Sequence, residues 1–158
     1  MYKLNNEGHT RNKYVVKEFT KGIIIEPIIY SFIIILVYFS VGTKSILYFY
    51  LMTSYILVWY IVGMFATIKM LKRQNKTISE VYLLNENIEF KTDKILWLKA
   101  GEYQQNRLSL HFENRKFKWY GKKTEKEGLS IFVNDIELFL VKEYFDDYEN
   151  IKKLLTEK

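Results

Sequence analysis

The chain contains no cysteine, one proline and two histidines in 158 residues. Without thiols it has no disulfides and no thiolate metal sites. His9 and His111 stand far apart, each without a second histidine at metal-binding spacing. There is no glycine-rich phosphate loop, no G-x-S-x-G elbow and no H-E-x-x-H pair. These absences leave no catalytic constellation, so we expect a protein that is not an enzyme, with no catalytic residues, no cofactor and no metal.

Charge is missing too, but only from one region. Residues 22–68 hold Glu26 and Lys44 as their only acidic or basic side chains, whereas residues 77–158 hold 14 Lys/Arg against 15 Asp/Glu. Gly22 to Val41 reads GIIIEPIIYSFIIILVYFSV, and Ser45 to Ile68 reads SILYFYLMTSYILVWYIVGMFATI. About twenty residues at 1.5 Å rise cover a hydrocarbon core of roughly 30 Å. The spacing predicts transmembrane helices over 22–41 and 45–68. Two adjacent helices apolar on every face would need a large protein to bury them, and the remaining 82 residues are too few. A cleaved signal peptide fits poorly, because a charged tail precedes the first segment and a second segment follows at once.

The link Gly42-Thr43-Lys44 is short enough to make the two spans antiparallel neighbours. Residues 1–21 form a basic tail, with Lys3, Arg11, Lys13, Lys17 and Lys21 against Glu7 and Glu18. Lys69, Lys72, Arg73 and Lys76 follow the second span with no acid among them. The positive-inside rule then expects both termini in the cytoplasm. These flanks account for the net charge of +6, since residues 77–158 carry a net −1. A near-neutral domain argues against nucleic acid as a partner.

Within the spans, Glu26-Pro27 is the candidate polar site. An intramembrane carboxylate is a candidate ion or proton site. The alternative is an interfacial anion at a helix start, with Pro27 in the first turn. Tyr48, Phe49 and Tyr50 fit an aromatic belt, and Trp59 and Tyr60 are expected to pack on the first helix or on a partner.

Residues 77–158 change period. Alternating or β-rich runs at Ile78–Leu84, Ile88–Lys91, Ile95–Leu98, Arg107–Phe112, Arg115–Tyr120, Leu129–Val133 and Glu137–Val141 predict about seven antiparallel strands. Turns are expected at Asn85-Glu86-Asn87, Glu113-Asn114 and Asn134-Asp135, and a charged loop over Gly121–Gly128. Phe145, Tyr148, Ile151, Leu154 and Leu155 then form a helical stripe, with a start near Asp147. The expected fold class is a membrane helical hairpin plus an α+β domain, an antiparallel barrel or sandwich capped by a C-terminal helix. We expect residues 77–158 to fold as a unit by themselves.

The strand series with its terminal helix resembles the bacterial pleckstrin-homology-like domains. The end of the chain, LSIFVNDIELFLVKEYFDDYENIKKLL from Leu129 to Leu155, is similar to the YcxB-like family, whose last strand reaches an (I/L)(I/V)-P-K-x-x-F box before a helix with Leu-Leu. Leu140-Val141-Lys142-Glu143-Tyr144-Phe145 occupies that box here, without the family's proline. Trp97 and Tyr103 sit where such domains often carry a Trp-containing third strand. The family layout of two N-terminal membrane helices and this domain covers the whole chain. The resemblance implies a multi-pass protein of the bacterial cytoplasmic membrane, with a PH-like domain facing the cytoplasm and no catalytic residues.

The first hairpin turn has one acid and no base, which disfavours a headgroup site there. Arg115, Lys116, Lys118, Lys122 and Lys123, with Trp119 and Tyr120, form the candidate interaction surface. Three readings stay open. One is a tethered protein-interaction module, with the lipid bilayer and a protein as partners. Another is an immunity protein that neutralises a toxin by direct binding. The third is an accessory subunit of a transporter or channel that uses Glu26.

Overall fold

The computed structural model describes residues 1–42, 45–118 and 125–156. The chain divides into two compact units, Met1–Val16 with Met70–Lys158 and, separately, Lys17–Lys69.

The second unit is the apolar one. Strand β1 (Tyr2–Lys3) and helix α1 (Asn6–Thr20) open the chain, and α1 runs through a π-helical turn at Lys21–Ile25 into α2 (Glu26–Val37). Pro27 explains the wide turn. Its ring has no N–H and would crowd the carbonyl one α-turn earlier. Widening the preceding turn, so that the Glu26 N–H reaches the Lys21 carbonyl, accommodates the ring without ending the helix. After the link, α3 spans Ile46–Asn75. The helical runs Asn6–Ser40 and Ile46–Asn75 are both long and apolar enough to cross a membrane, and protein buries only 6% and 0% of their most apolar stretches. A core helix of a soluble protein would show the reverse. Tyr30 meets Tyr60 edge-on at 5.7 Å and Tyr38 meets Phe49 at 5.4 Å, so aromatic pairs join α2 to α3. Tyr60 thus packs on the first helix as expected, while Trp59 is exposed beside Tyr55.

The first unit is α+β, with two antiparallel sheets. One has the order β1-β2-β3-β4, with β2 at Ile78–Leu84, β3 at Asn87–Thr92 and β4 at Glu102–Asn106. The other has the order β5-β6-β7, with β5 at His111–Lys118, β6 at Glu125–Val133 and β7 at Ile136–Val141. A bridge between Thr77 and Phe139 joins them, and the Phe139 N–H donates to the Lys76 carbonyl at 3.0 Å. Helix α4 (Tyr148–Thr156) buries Tyr148, Ile151 and Leu155 against this core. The hairpin at Asn134-Asp135 forms as expected, with φ of 47° and 64°, the left-handed pair that suits Asn and Asp.

Two strand expectations and one turn expectation are corrected. Ile95–Leu98 is a tight bridged turn, not a strand. Arg107–Ser109 is a 3-10 turn, so the alternation of Leu108, Leu110 and Phe112 imitated a strand across a turn. Glu113-Asn114 lies inside β5, opposite Ser130 and Leu129, so no turn falls there. Two strands were not foreseen: β1, and the edge strand β4, which reads Glu-Tyr-Gln-Gln-Asn with too little apolar alternation to register. Of the expected charged loop, Glu125–Gly128 belongs to β6, and residues 121–124 lie outside the described residues.

The folded unit is larger than residues 77–158, because the first sixteen residues join it. Tyr2 and Lys3 pair with Val81 and Glu80, adding an edge strand to β2. Asn5 caps α1, its Oδ1 accepting from the N–H groups of Glu7 at 3.0 Å and Gly8 at 3.2 Å. The same side chain donates through Nδ2 to the Glu143 carbonyl at 2.9 Å and to Asp146 Oδ1 at 3.0 Å. Gly8 permits this approach, since a Cβ there would lie 3.2 Å from Tyr144 Cβ and 2.7 Å from Leu4 Cδ2. The Lys126 ammonium, with a side chain only 10% exposed, is held between Glu7 and Glu143. From the other flank, Arg73 lies over the rings of Phe117 at 5.8 Å and Phe139 at 5.2 Å. Gln74 Nε2 donates to Asn12 Oδ1 at 2.7 Å, tying the end of α3 to α1.

Candidate interaction surface

Strand alternation decides which of the candidate residues can act together. On β5, Phe112, Asn114 and Lys116 share the face of Ile131, Leu129 and Glu127. Arg115 and Phe117 share the opposite one. Arg115 is committed there: it pairs with Glu137 on β7, whose Oε1 also accepts from the Ser130 hydroxyl at 2.7 Å. Burial, followed by the nearby Arg115 charge, lowers the Arg73 pKa below the ordinary guanidinium value. The side chains of Arg115 and Lys116 therefore leave β5 on opposite faces, although both residues border the same groove.

Lys116 opens onto a groove where α4 crosses the end of the sheet. Asn114, Glu127, Gly128, Lys142, Tyr148, Glu149 and Lys152 line it with the two basic neighbours, and its volume is about 280 Å³. Only glycine fits at position 128 in this lining, because a Cβ there would stand 2.1 Å from the Leu140 carbonyl oxygen. Lys142 bridges Glu149 at 3.1 Å and lies 5.9 Å from the centre of the Tyr148 ring. Burial pushes the Tyr148 phenol up to about 12, so it stays protonated and can donate. An adjoining, more acidic depression shares Glu127, Lys142, Tyr148 and Glu149. The surface is mixed in charge, shallow and centred on one aromatic ring. Chemically it is suited to a complementary charged surface more than to enclosing a small substrate.

Of the other candidates, Lys118 has its backbone in β5 opposite Glu125. Its side chain, and Trp119, Tyr120, Lys122 and Lys123, lie outside the described residues. Sequence reasoning missed Lys142, Tyr148, Glu149 and Lys152. Their signal was faint, because all but Tyr148 sit on the polar side of α4 or in the 3-10 turn before it. Among the described residues, no group of three or more His, Asp or Glu gathers as for a metal.

Glu26 is the first residue of α2, with Pro27 next, and this start continues the π-helical turn before it. The backbone is helical on both sides of it, and Ile25 before it is already α-helical with no side-chain cap. No free helix terminus faces this carboxylate. The Glu26 carboxylate and the Thr67 hydroxyl both lie near Gly22, each 3.9 Å from where a Cβ there would stand, an ordinary contact distance.

The chain matches no family model, no curated protein and no solved structure.

Proposed function

We propose that the protein is a membrane-anchored interaction module without enzymatic activity, which holds a PH-like domain at the cytoplasmic face of a bacterial inner membrane and binds another protein there. The observation that carries the reading is the interrupted domain. One compact unit takes residues from both sides of an apolar helical pair whose surface is unburied. A hairpin that leaves and rejoins one domain crosses a bilayer an even number of times, so both flanks share a side. Lys and Arg crowd those flanks, which favours the cytoplasm. A four-stranded sheet, a three-stranded sheet and a closing helix support the pleckstrin-homology-like assignment. The box that resembles the YcxB-like family is built into the core, with Leu140, Val141, Tyr144 and Phe145 all buried.

The groove beside α4 is the binding surface in this reading. Lys116 supplies exposed charge, Lys152 half-buried charge, and the largely buried Tyr148 ring lies at the base between them, a composition that interface cores and rims share. Tethering raises the effective concentration of this surface toward any partner in the same membrane. A photo-crosslinking amino acid at Lys152 tests it in living cells. One discrete adduct is expected, and it should vanish when Lys116 is replaced by Glu. No adduct, or one indifferent to Lys116, would remove the groove from the account.

A further inference from the structure

The segment between β3 and β4 is a rigid loop that carries an exposed tryptophan at its tip. Its base is closed twice, by the Thr92 N–H donating to the Gly101 carbonyl and the Gly101 N–H donating to Thr92 Oγ1, both at 2.9 Å. Ile95 and Leu98 exchange backbone hydrogen bonds at 3.1 and 2.9 Å around the two-residue turn Leu96-Trp97. Ile95, at the base of the turn, is buried. Leu96 has φ of 53°, a left-handed conformation that is costly for a branched side chain. Trp97 is 60% exposed, and Lys94 and Lys99 on either side are exposed as well.

The surroundings identify what the tip meets. Asn75, the last residue of α3, donates through Nδ2 to the carbonyls of Asp93 at 2.9 Å and Lys99 at 3.1 Å. Asn12 donates to the Asp93 carboxylate. The loop is therefore bolted to the helix end by which the chain arrives from its apolar stretch. In the sequence, Asn75 follows Ile68, the last residue of the apolar run, by seven residues, so the loop it holds is tied to the chain close behind that run. Of the other exposed large apolar side chains described in this unit, Met1 opens the chain beside β1, and Leu83, Leu84 and Leu108 gather near the opposite end of β3. A tryptophan between lysines has the chemistry of an interfacial anchor.

We infer that the Leu96-Trp97 turn inserts into the anionic cytoplasmic leaflet, with Lys94 and Lys99 on lipid phosphates, and fixes the orientation of the domain on the membrane. The inference rests on the reading that α2 and α3 span a bilayer. Its strained, pinned turn makes sense on this basis, because a rigid loop loses little entropy when its tryptophan is immobilised.

The test uses the full-length chain in vesicles of phosphatidylethanolamine and phosphatidylglycerol. Trp59→Phe with Trp119→Phe leaves Trp97 as the only tryptophan, and Trp97→Phe with Trp119→Phe leaves Trp59. Trp59 should be quenched by lipids carrying a nitroxide deep in the acyl chain. Trp97 should be quenched by lipids carrying it near the headgroup and shielded from aqueous iodide. Lys94→Gln with Lys99→Gln should lower the docked-to-undocked ratio by roughly fivefold per lysine in anionic vesicles, with little change in zwitterionic ones. Deep quenching of Trp59 together with iodide-accessible Trp97 would overturn the anchor alone. Trp97 shielded from both iodide and lipid would assign the turn to a protein contact instead. Loss of deep quenching at Trp59 would overturn the membrane-spanning reading, and the anchor with it.

Discussion

Removing the hairpin and everything before it should destroy the domain. A fragment of residues 77–158 keeps β2 to β7 and α4 but loses Leu4, Val15, Met70 and Leu71, all of them buried. Burying a side chain of this size contributes about 1.5–3 kcal/mol, so the four together contribute roughly 6–12 kcal/mol as an upper estimate. The fragment also loses the Asn5 amide that donates to the Glu143 carbonyl and to Asp146, and leaves Lys126 without its Glu7 partner. A whole small domain is stable by only about 5–15 kcal/mol. The fragment should therefore show no cooperative urea transition and poor dispersion of its amide resonances. A single chain of residues 1–16, a flexible Gly/Ser linker and residues 70–158 should regain both. Cooperative unfolding of residues 77–158 alone, with the same midpoint as the joined chain, would refute the claim that the two flanks build one domain.

Two smaller predictions concern the charges that stitch this unit together. Lys126→Met should change stability by less than about 1 kcal/mol, because its half-exposed carboxylate partners can return to water; Glu7→Gln with Glu143→Gln should cost about 2 kcal/mol by stranding a buried ammonium, as read by urea denaturation of the joined soluble chain. The Tyr82 hydroxyl, donating to Glu80, is the main cause holding that carboxyl below its ordinary 4.5, with Lys3 and Lys91 adding to it. Because the folded value is the lower one, this contribution is present above about pH 4.5 and is lost as pH falls through the folded value. Tyr82→Phe should accordingly narrow the loss of urea midpoint between neutral pH and about pH 3 relative to the parent chain.

What was legible in the sequence followed from strong patterns. The two apolar helices showed in the absence of charge from residues 45–68 and its near absence from 22–41. The amphipathic stripe of α4 and the turn at Asn134-Asp135 were equally plain. The N-terminal strand was not, because Tyr2-Lys3 is too short for a period of two to register and its partner lies beyond both spans. Helix α1 hid for a different reason: its buried positions include Arg11 and Gly8, which read as tail residues. The candidate surface was only half legible. Basic residues adjacent in sequence suggested one patch, but a period of two sends Arg115 and Lys116 to opposite faces. The groove became visible only when α4 was placed against β5 and β6.

The central claim is that residues before and after the apolar hairpin form one domain on the cytoplasmic side. The chain is free of cysteine, so single cysteines at Asn6, Thr43 and Asn150 can be introduced without further change. Asn6 and Asn150 are both exposed, on α1 and α4. In intact cells, an impermeant thiol reagent should label only the variant at position 43, and lysis should release the other two together. Labelling of position 6 but not 150 in intact cells, or of 150 but not 6, would place the flanks on opposite sides of the membrane and contradict the account.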